Sequence, residues 1–502
     1  MTAKKQVALI VLDGWGHREE IKDNAIAAAH TPYFDSLERG YPCSTLDASE
    51  ESVGLPEGQI GNSEVGHMTI GAGRIIDTDL VRITKAIKNG TFKDTPAFKA
   101  AFDHALRHNS TLHILGLVSP GGIHSHEEHL YALLQAAKEA GLTKVAIHAF
   151  TDGRDVAPQS AHKSLSRLEN LCETLGIGAV ASVCGRFFAM DRDNNWDRAD
   201  RAWKAICEGT GNICEIKPSS KVEEMHKEGA LDEHLEPMVC VDAEGKSYPL
   251  QENDAVIFAN FRSDRARMLS ELIAKEAQTK GLYFVTLTEY DSKSTAHVAF
   301  PPQRVETTLA AEISKAGLTQ AHIAETEKYP HATYFLNGGR ETPYEGETHI
   351  LVESRKDVPT HDLAPEMRAK EIADKAIEQI ENGTNFIFIN FANADMVGHT
   401  ANVPAIITAV ETVDSELKRV LEVLHTNGGC AFITADHGNA EVNIDSETGA
   451  KHTAHTLNIV PAILTEKGHT LSSGTLADVA PTILTLLGLP VPASMTGIVL
   501  IS

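Results

Sequence analysis

Aspartate and histidine recur in this chain at the places where buried strands should end. Three apolar runs, Val7–Leu12, Phe386–Phe391 and residues 430–435, finish at or just before Asp13, Asp395 and Asp436. Short continuous apolar runs mark strands covered on both faces of a parallel sheet, and open α/β sheets bind ligands beyond the carboxyl ends of their strands. The three carboxylates are therefore expected to converge. His399 follows Asp395 by four residues, so one helical turn sets both on one face, where both can grip one ion. His437 adjoins Asp436, and His452 and His455 compete for a further imidazole position that spacing alone does not assign. Mixed Asp and His donors suit divalent transition ions, Mn²⁺, Zn²⁺ or Co²⁺. Two such ions about 4 Å apart make the clamp used in phosphoryl transfer.

Ser63 is the candidate nucleophile. It lies in Gly61-Asn62-Ser63-Glu64-Val65-Gly66-His67, a segment that reads as a loop entering a helix, near amides that favour anions. The plainer reading is a helix-capping serine; a metal beside it would turn the hydroxyl into a nucleophile. A second signature lies in the middle of the chain, where Gly121–His126 with His124, Thr151–Asp155 with Arg154, Gly185–Arg192 with Arg186, and Asn260–Arg265 with Arg262 follow or adjoin expected strands. Arginine presents a planar fork of donors that holds carboxylate or phosphate in bidentate fashion, so these loops predict a pocket for a small ligand carrying both. Surface ion pairing is the alternative for any single one of them. Lys328 can reach a transferring phosphoryl group as a point charge, or simply be a solvated lysine.

These groups need a large scaffold. At 502 residues the chain exceeds what one hydrophobic core fills, so two or three domains are expected. Lys and Arg total 45 against 69 Asp and Glu, a net charge of −24, which argues against a nucleic-acid surface, and the aromatic residues show no basic interleaving for base stacking. Seven scattered cysteines without a C-x-x-C pair fit a reducing cytoplasm. Lys4 and Lys5 precede only six apolar residues, short of the roughly 7 to 15 of a secretion signal, and no run approaches the roughly 20 of a membrane span. One helix is expected over residues 24–38. From residue 77 to about 305 helical patterns alternate with apolar runs at 112–118, 144–150, 179–183, 255–258 and 283–288, describing a second α/β unit. Because Asp13 must join ligands that follow residue 390, that unit is read as an insertion (77–305) within a discontinuous metal domain (1–76 plus 306–502), with hinges near Asp77 and Glu306.

Taken in order, Asp13-Gly14-Trp15-Gly16, the Gly61 to His67 segment, Thr151–Asp155, Asn393–Thr400, Thr434–Asn439 and His452–Thr456 resemble the motifs of the cofactor-independent phosphoglycerate mutases, members of the alkaline-phosphatase-like superfamily, nearly end to end. The resemblance implies a dimetal domain with a mainly parallel sheet, interrupted by a substrate-binding transferase domain, and two Mn²⁺ ions. It assigns Asp13, Ser63, Asp436 and His437 to one ion and Asp395, His399 and His455 to the other, preferring His455 over His452. It places phosphoglycerate on His124, Arg154, Asp155, Arg186, Arg192, Arg262, Arg265 and Lys328. The implied activity interconverts 3- and 2-phosphoglycerate through a phosphoserine at Ser63, without 2,3-bisphosphoglycerate, with Asp155 orienting or deprotonating a hydroxyl and closure excluding water. A cytoplasmic monomer without nucleic-acid or membrane partners is the corresponding expectation. Ile60, Asp77 and Leu457 depart from the usual pattern, and none is a proposed ligand. A dimetal phosphatase or phosphopentomutase of the same superfamily is the alternative enzyme, which the arginine loops disfavour; a metal-stabilised binding protein is the non-enzymatic one.

Overall fold

The computed structural model describes residues 5–502; Lys4, read above with Lys5, lies outside them. The chain divides into two units, one running up to Thr78 and resuming at Gln303, the other spanning Asp79–Pro302. The breaks fall within a few residues of the 76/77 and 305/306 set from the sequence. Each unit is an α/β body around its own eight-stranded sheet.

Across the first sheet the strands run Glu347–Val352, Gln320–Glu325, Phe386–Phe391, Val7–Leu12, Cys430–Thr434, Val460–Leu464, Cys43–Asp47 and Gly474–Thr475. Every residue of Val7–Leu12, Phe386–Phe391 and Cys430–Thr434 is buried, because helices cover both faces, and this is why the runs read as unbroken apolar stretches. Burying a side chain such as Phe388 or Phe432 contributes about 2–3 kcal/mol, so these strands are anchored by their own composition. The pairing is parallel and level: Val7 stands opposite both Phe386 and Cys430, and Leu12 opposite Phe391. Equal register carries Asp13, Asp395 and Asp436 to the same sheet edge.

The helix expected over residues 24–38 is two helices, Ala25–Ala28 and Pro32–Gly40. Pro32 has no amide hydrogen to donate, and its ring keeps Thr31 out of the helical region (φ −117, ψ 57), so the chain breaks there. The Asp414 carboxylate takes up the freed donors of Tyr33 (3.2 Å) and Phe34 (2.6 Å).

In the second unit the order is His297–Val298, Tyr283–Thr286, Ala255–Phe258, Leu112–Leu117, Val145–Thr151, Ala179–Gly185, Met238–Cys240 and Asn212–Cys214. All pairs are parallel except Ala179–Gly185 with Met238–Cys240. A buried polar chain ties four strands together, from Asp254 to His113 (3.0 Å), to His148 (2.9 Å), to Ser182 (2.8 Å). The loops that carry His124, Arg154, Arg186 and Arg262 all leave the carboxyl ends of these strands.

Candidate active site

The helix Ser63–Ala72 begins one residue after Asn62, whose side chain accepts the Val65 amide at 3.1 Å. Asn62 is thus the cap and Ser63 the first helical residue, so the capping role is filled by the neighbour and the Ser63 hydroxyl is free for other work. Its Oγ stands 2.9 Å from His437 Nε2, 3.5 Å from Asp13 Oδ1, and accepts a hydrogen bond from Lys328 Nζ at 2.7 Å. Lys328 is buried, not a solvated lysine, and its ammonium also lies 2.6 Å from both Asp13 Oδ1 and Asp395 Oδ2. Burial alone would lower its pKa, but Asp13, Asp395 and Asp436 outweigh burial and hold it above the ordinary range. Burial pushes Asp395 up, yet Lys328 and the two imidazoles hold it well below the usual carboxylate range.

Two donor clusters flank this centre. Asp13, Asp436 and His437 form one, fully buried, and Asp395, His399 and His455 the other, each with its ligand atoms within 4.8 Å of one another. His399 closes the short helix Asn393–Gly398, one turn from Asp395, with Nε2 3.3 Å from Asp395 Oδ1. His455 Nε2 is 3.1 Å from the same oxygen, whereas His452 Nδ1 is buried without a hydrogen-bond partner and belongs to neither cluster. Three buried carboxylates share one ammonium, and Asp436 Oδ2 has no hydrogen-bond donor of its own. Such an excess of buried negative charge is costly unless cations neutralise it, and O,O,N and O,N,N donor sets suit divalent transition ions. The residues therefore fit a two-metal centre.

Sequence reading did not single out the groups that hold these ligands. His67, one turn from Ser63, bonds the Ser63 carbonyl (2.9 Å) and lies 3.3 Å from Asp436 Oδ2; Asn390 donates to Asp13 Oδ2 at 2.8 Å; Asn439 donates to Asp395 Oδ1 at 2.8 Å. Glu441 is fully buried and accepts from the amides of Gly16 (3.1 Å) and Asn439 (2.9 Å), the Thr456 hydroxyl and the Asn458 amide (2.9 Å). One carboxylate thereby binds together the segments that follow Asp13, Asp436 and His455. Gly14 is needed for a related reason: its φ is +74, and a Cβ there would sit 2.6 Å from the Asp395 backbone. The motif spacing of His67 and Gly14 was visible in the sequence; Asn390 carried no signal because Asp13 is 377 residues away, and the tie from Glu441 to Gly16 spans 425.

In the second unit Asp264 is the hub, another residue sequence reading left without a role. Its carboxylate meets Arg192 (3.0 Å), Arg262 (3.2 Å) and His124 (3.5 Å). Arg186 is buried and bridges Asp152 and Asp155 at 2.6 Å each, while Arg154 is half exposed, 3.4 Å from Glu233. Burial lowers Arg265, and the charges of Arg192, Arg186 and Arg154 lower it further, a crowding of like charge that an anion would relieve. Burial and then Arg186 push His124 down to about 4, so it is neutral at pH 7. Arg154, Arg198, Arg265, Asp191 and His234 border a cavity of about 300 Å³.

Known proteins are similar to this chain. A family model described as BPG-independent PGAM N-terminus matches residues 83–292, and one described as type I phosphodiesterase / nucleotide pyrophosphatase matches residues 278–482. A 2,3-bisphosphoglycerate-independent phosphoglycerate mutase of Shewanella amazonensis is 47% identical, covering 100% of this chain and 99% of its own. The protein of the same name from Francisella tularensis subsp. novicida is 45% identical over 98% of both. Among solved structures, a phosphoglycerate mutase of Leishmania mexicana at low cobalt concentration is similar at 29% identity and a TM-score of 0.57, covering 99% of this chain and 98% of its own.

Proposed function

The chain belongs to the 2,3-bisphosphoglycerate-independent phosphoglycerate mutases, and from that premise we propose how its residues divide the interconversion of 3-phosphoglycerate and 2-phosphoglycerate. The first unit is the dimetal domain that carries the nucleophile, and the second is the substrate-binding transferase domain. Asp13, Ser63, Asp436 and His437 would hold one ion; Asp395, His399 and His455 the other. We take the ions to be Mn²⁺, with Zn²⁺ or Co²⁺ as alternatives. Bound there, they supply Lewis acidity toward phosphoryl oxygens and the Ser63 hydroxyl.

Ser63 Oγ attacks the phosphorus of 3-phosphoglycerate; the Oγ–P bond forms as the bond from P to the 3-oxygen breaks. The proton lost by Ser63 ends on the 3-oxygen. Lys328, already donating to Oγ, stays close to the transferring group and offsets its charge. His124, Arg154, Arg186, Arg192, Arg262 and Arg265 retain glycerate through its carboxylate and hydroxyls while it reorients. In the second displacement the 2-hydroxyl oxygen attacks the phosphoserine, and its proton returns to Ser63. Asp155 orients or deprotonates the attacking hydroxyl; its carboxylate is fixed by Arg186. Retention of glycerate and exclusion of water separate a mutase from a phosphatase.

The observation that carries this reading is the Ser63 hydroxyl, freed from capping by Asn62 and held between Lys328, His437 and Asp13. We place the activity in glycolysis and gluconeogenesis, in the cytoplasm, in a monomer. All seven cysteines are free, which supports a reducing compartment, and no described helix is long and apolar enough to cross a membrane. The test is a ³¹P NMR time course with Mn²⁺ and 3-phosphoglycerate, rigorously free of 2,3-bisphosphoglycerate. The expected product is 2-phosphoglycerate without free phosphate; free phosphate alone would make the protein a phosphatase and remove the role given to the arginines.

A further inference from the structure

Two buried thiols of the second unit lie outside everything used above. The strands Asn212–Cys214 and Met238–Cys240 pair in parallel at the edge of the second sheet, with Cys214 directly opposite Cys240, and the Val241 amide donating to the Cys214 carbonyl at 3.1 Å. Opposite residues of neighbouring strands project from the same face and sit about 4.8 Å apart, within the roughly 4.4–6.8 Å that a disulfide spans between Cα atoms. We propose that Cys214 and Cys240 are a reversible oxidation site, closing to a disulfide when a hydroperoxide reaches them.

The two sulfurs are unequal. Pairing with Cys240, opposed by burial and aided by Ile216 and Lys221, pulls the Cys214 thiol down to about 7, while pairing with Cys214 and burial push Cys240 far up. Cys214 is therefore the sulfur that gives up its proton more readily, and Cys240 the one that keeps it. Burial moves Cys172 and Cys430 up to about 11 and Cys184 to about 12, leaving them poor nucleophiles. Cys240 lines a cavity of about 910 Å³ together with Cys172, Glu169, Lys217, Tyr248 and Ile216, whose carbonyl accepts from the Cys214 thiol at 3.3 Å.

The chemistry balances with hydrogen peroxide as oxidant. The Cys214 thiolate attacks one peroxide oxygen; an S–O bond forms, the O–O bond breaks, and the departing hydroxide takes the Cys240 proton and leaves as water. The Cys240 thiolate then attacks the Cys214 sulfur, the S–S bond forms, the S–O bond breaks, and hydroxide leaves, to be protonated by solvent. Two thiols lose two hydrogens and the peroxide becomes two waters. The link would close the segment that bears Asp232, whose carboxylate accepts from the amides of Ser160 (2.7 Å) and Ala161 (2.9 Å) and whose carbonyl accepts from the Thr151 hydroxyl (2.7 Å). It would thus brace the loop that carries Arg154 and Asp155.

The full chain is treated with hydrogen peroxide, its thiols are counted under denaturing conditions, and non-reducing peptides are mapped by mass. Two of the seven thiols should disappear, a cross-linked Cys214–Cys240 peptide should appear, and dithiothreitol should restore both. Cys214→Ser and Cys240→Ser should each abolish the cross-link, with circular dichroism confirming that the variant is folded. Mapping of the unsubstituted chain decides the matter even if neither variant folds. Sulfinic acid at Cys214 without a cross-link, or oxidation confined to the exposed Cys43, would overturn the proposal.

Discussion

Removing the ammonium at the centre of the metal site tests the electrostatic account most directly. In Lys328→Met two contacts of 2.6 Å, to Asp13 and Asp395, are lost, along with the donor 2.7 Å from Ser63 Oγ. At an effective dielectric constant near 20 each contact is worth about 6 kcal/mol of gross attraction, and the desolvation of the buried ammonium offsets much of it. The net cost of leaving buried carboxylates unpaired is about 3–5 kcal/mol. In a body of this size that lowers the melting temperature of chelator-stripped protein by on the order of 10 °C. Metal-loaded protein should lose less, because added cations compensate the same carboxylates. Turnover falls by roughly 10²–10³, the cost of deleting one donor aimed at developing charge. Scanning calorimetry of stripped and Mn²⁺-loaded forms, with a mutase assay coupled to removal of 2-phosphoglycerate, reads both effects. If the stripped variant melted with the parent and turned over at the parental rate, Lys328 would be a bystander and the charge accounting wrong.

Four further perturbations separate the remaining roles. Ser63→Ala should abolish phosphoenzyme trapped from ³²P-labelled substrate while leaving metal content, measured by plasma emission, largely intact; a variant that still turns over sinks the nucleophile. Arg262→Ala should raise KM roughly 10- to 100-fold, the worth of one charge-assisted contact, without changing metal uptake. Unchanged kinetics would remove that arginine from the pocket. Glu441→Gln should weaken Mn²⁺ binding to stripped protein by roughly 10- to 100-fold in calorimetric titration, since it orients three ligand-bearing segments without touching an ion; equal affinity would reduce Glu441 to packing. Burial and then His126 push the His129 imidazole down to about 3, whereas an unfolded chain protonates it near 6.5. The folded state thus excludes a proton that the unfolded state binds. Its contribution is complete above pH 6.5 and declines as pH falls toward 3, by up to about 1.4 kcal/mol per unit. Urea unfolding from pH 7 to 5 should show a shallower slope in His129→Gln than in the parent; identical slopes refute the assignment.

How much of this was legible beforehand depended on whether a signal is local. Val7–Leu12, Phe386–Phe391 and Cys430–Thr434 were readable as strands because burial on both faces demands an unbroken apolar run, and that demand is written into consecutive residues. Asp395 and His399 were readable as a pair because one helical turn fixes their relation. The break at Thr31 had a local cause in Pro32, which the expectation of one helix over residues 24–38 passed over.

What only tertiary structure supplied were the contacts between partners remote in sequence. Lys328 looks like any lysine until the fold sets it between Asp13 and Asp395, and Asn390 and Glu441 acquire a purpose only once loops hundreds of residues apart are brought together. Ser63 was ambiguous between cap and nucleophile, because a serine at a helix start serves either; the backbone gives the cap to Asn62, which leaves the Ser63 hydroxyl to the cluster around it. The sequence by itself thus determined the strands, the acids at their ends and the family. The level register of three parallel strands, which no single segment encodes, made those acids one site.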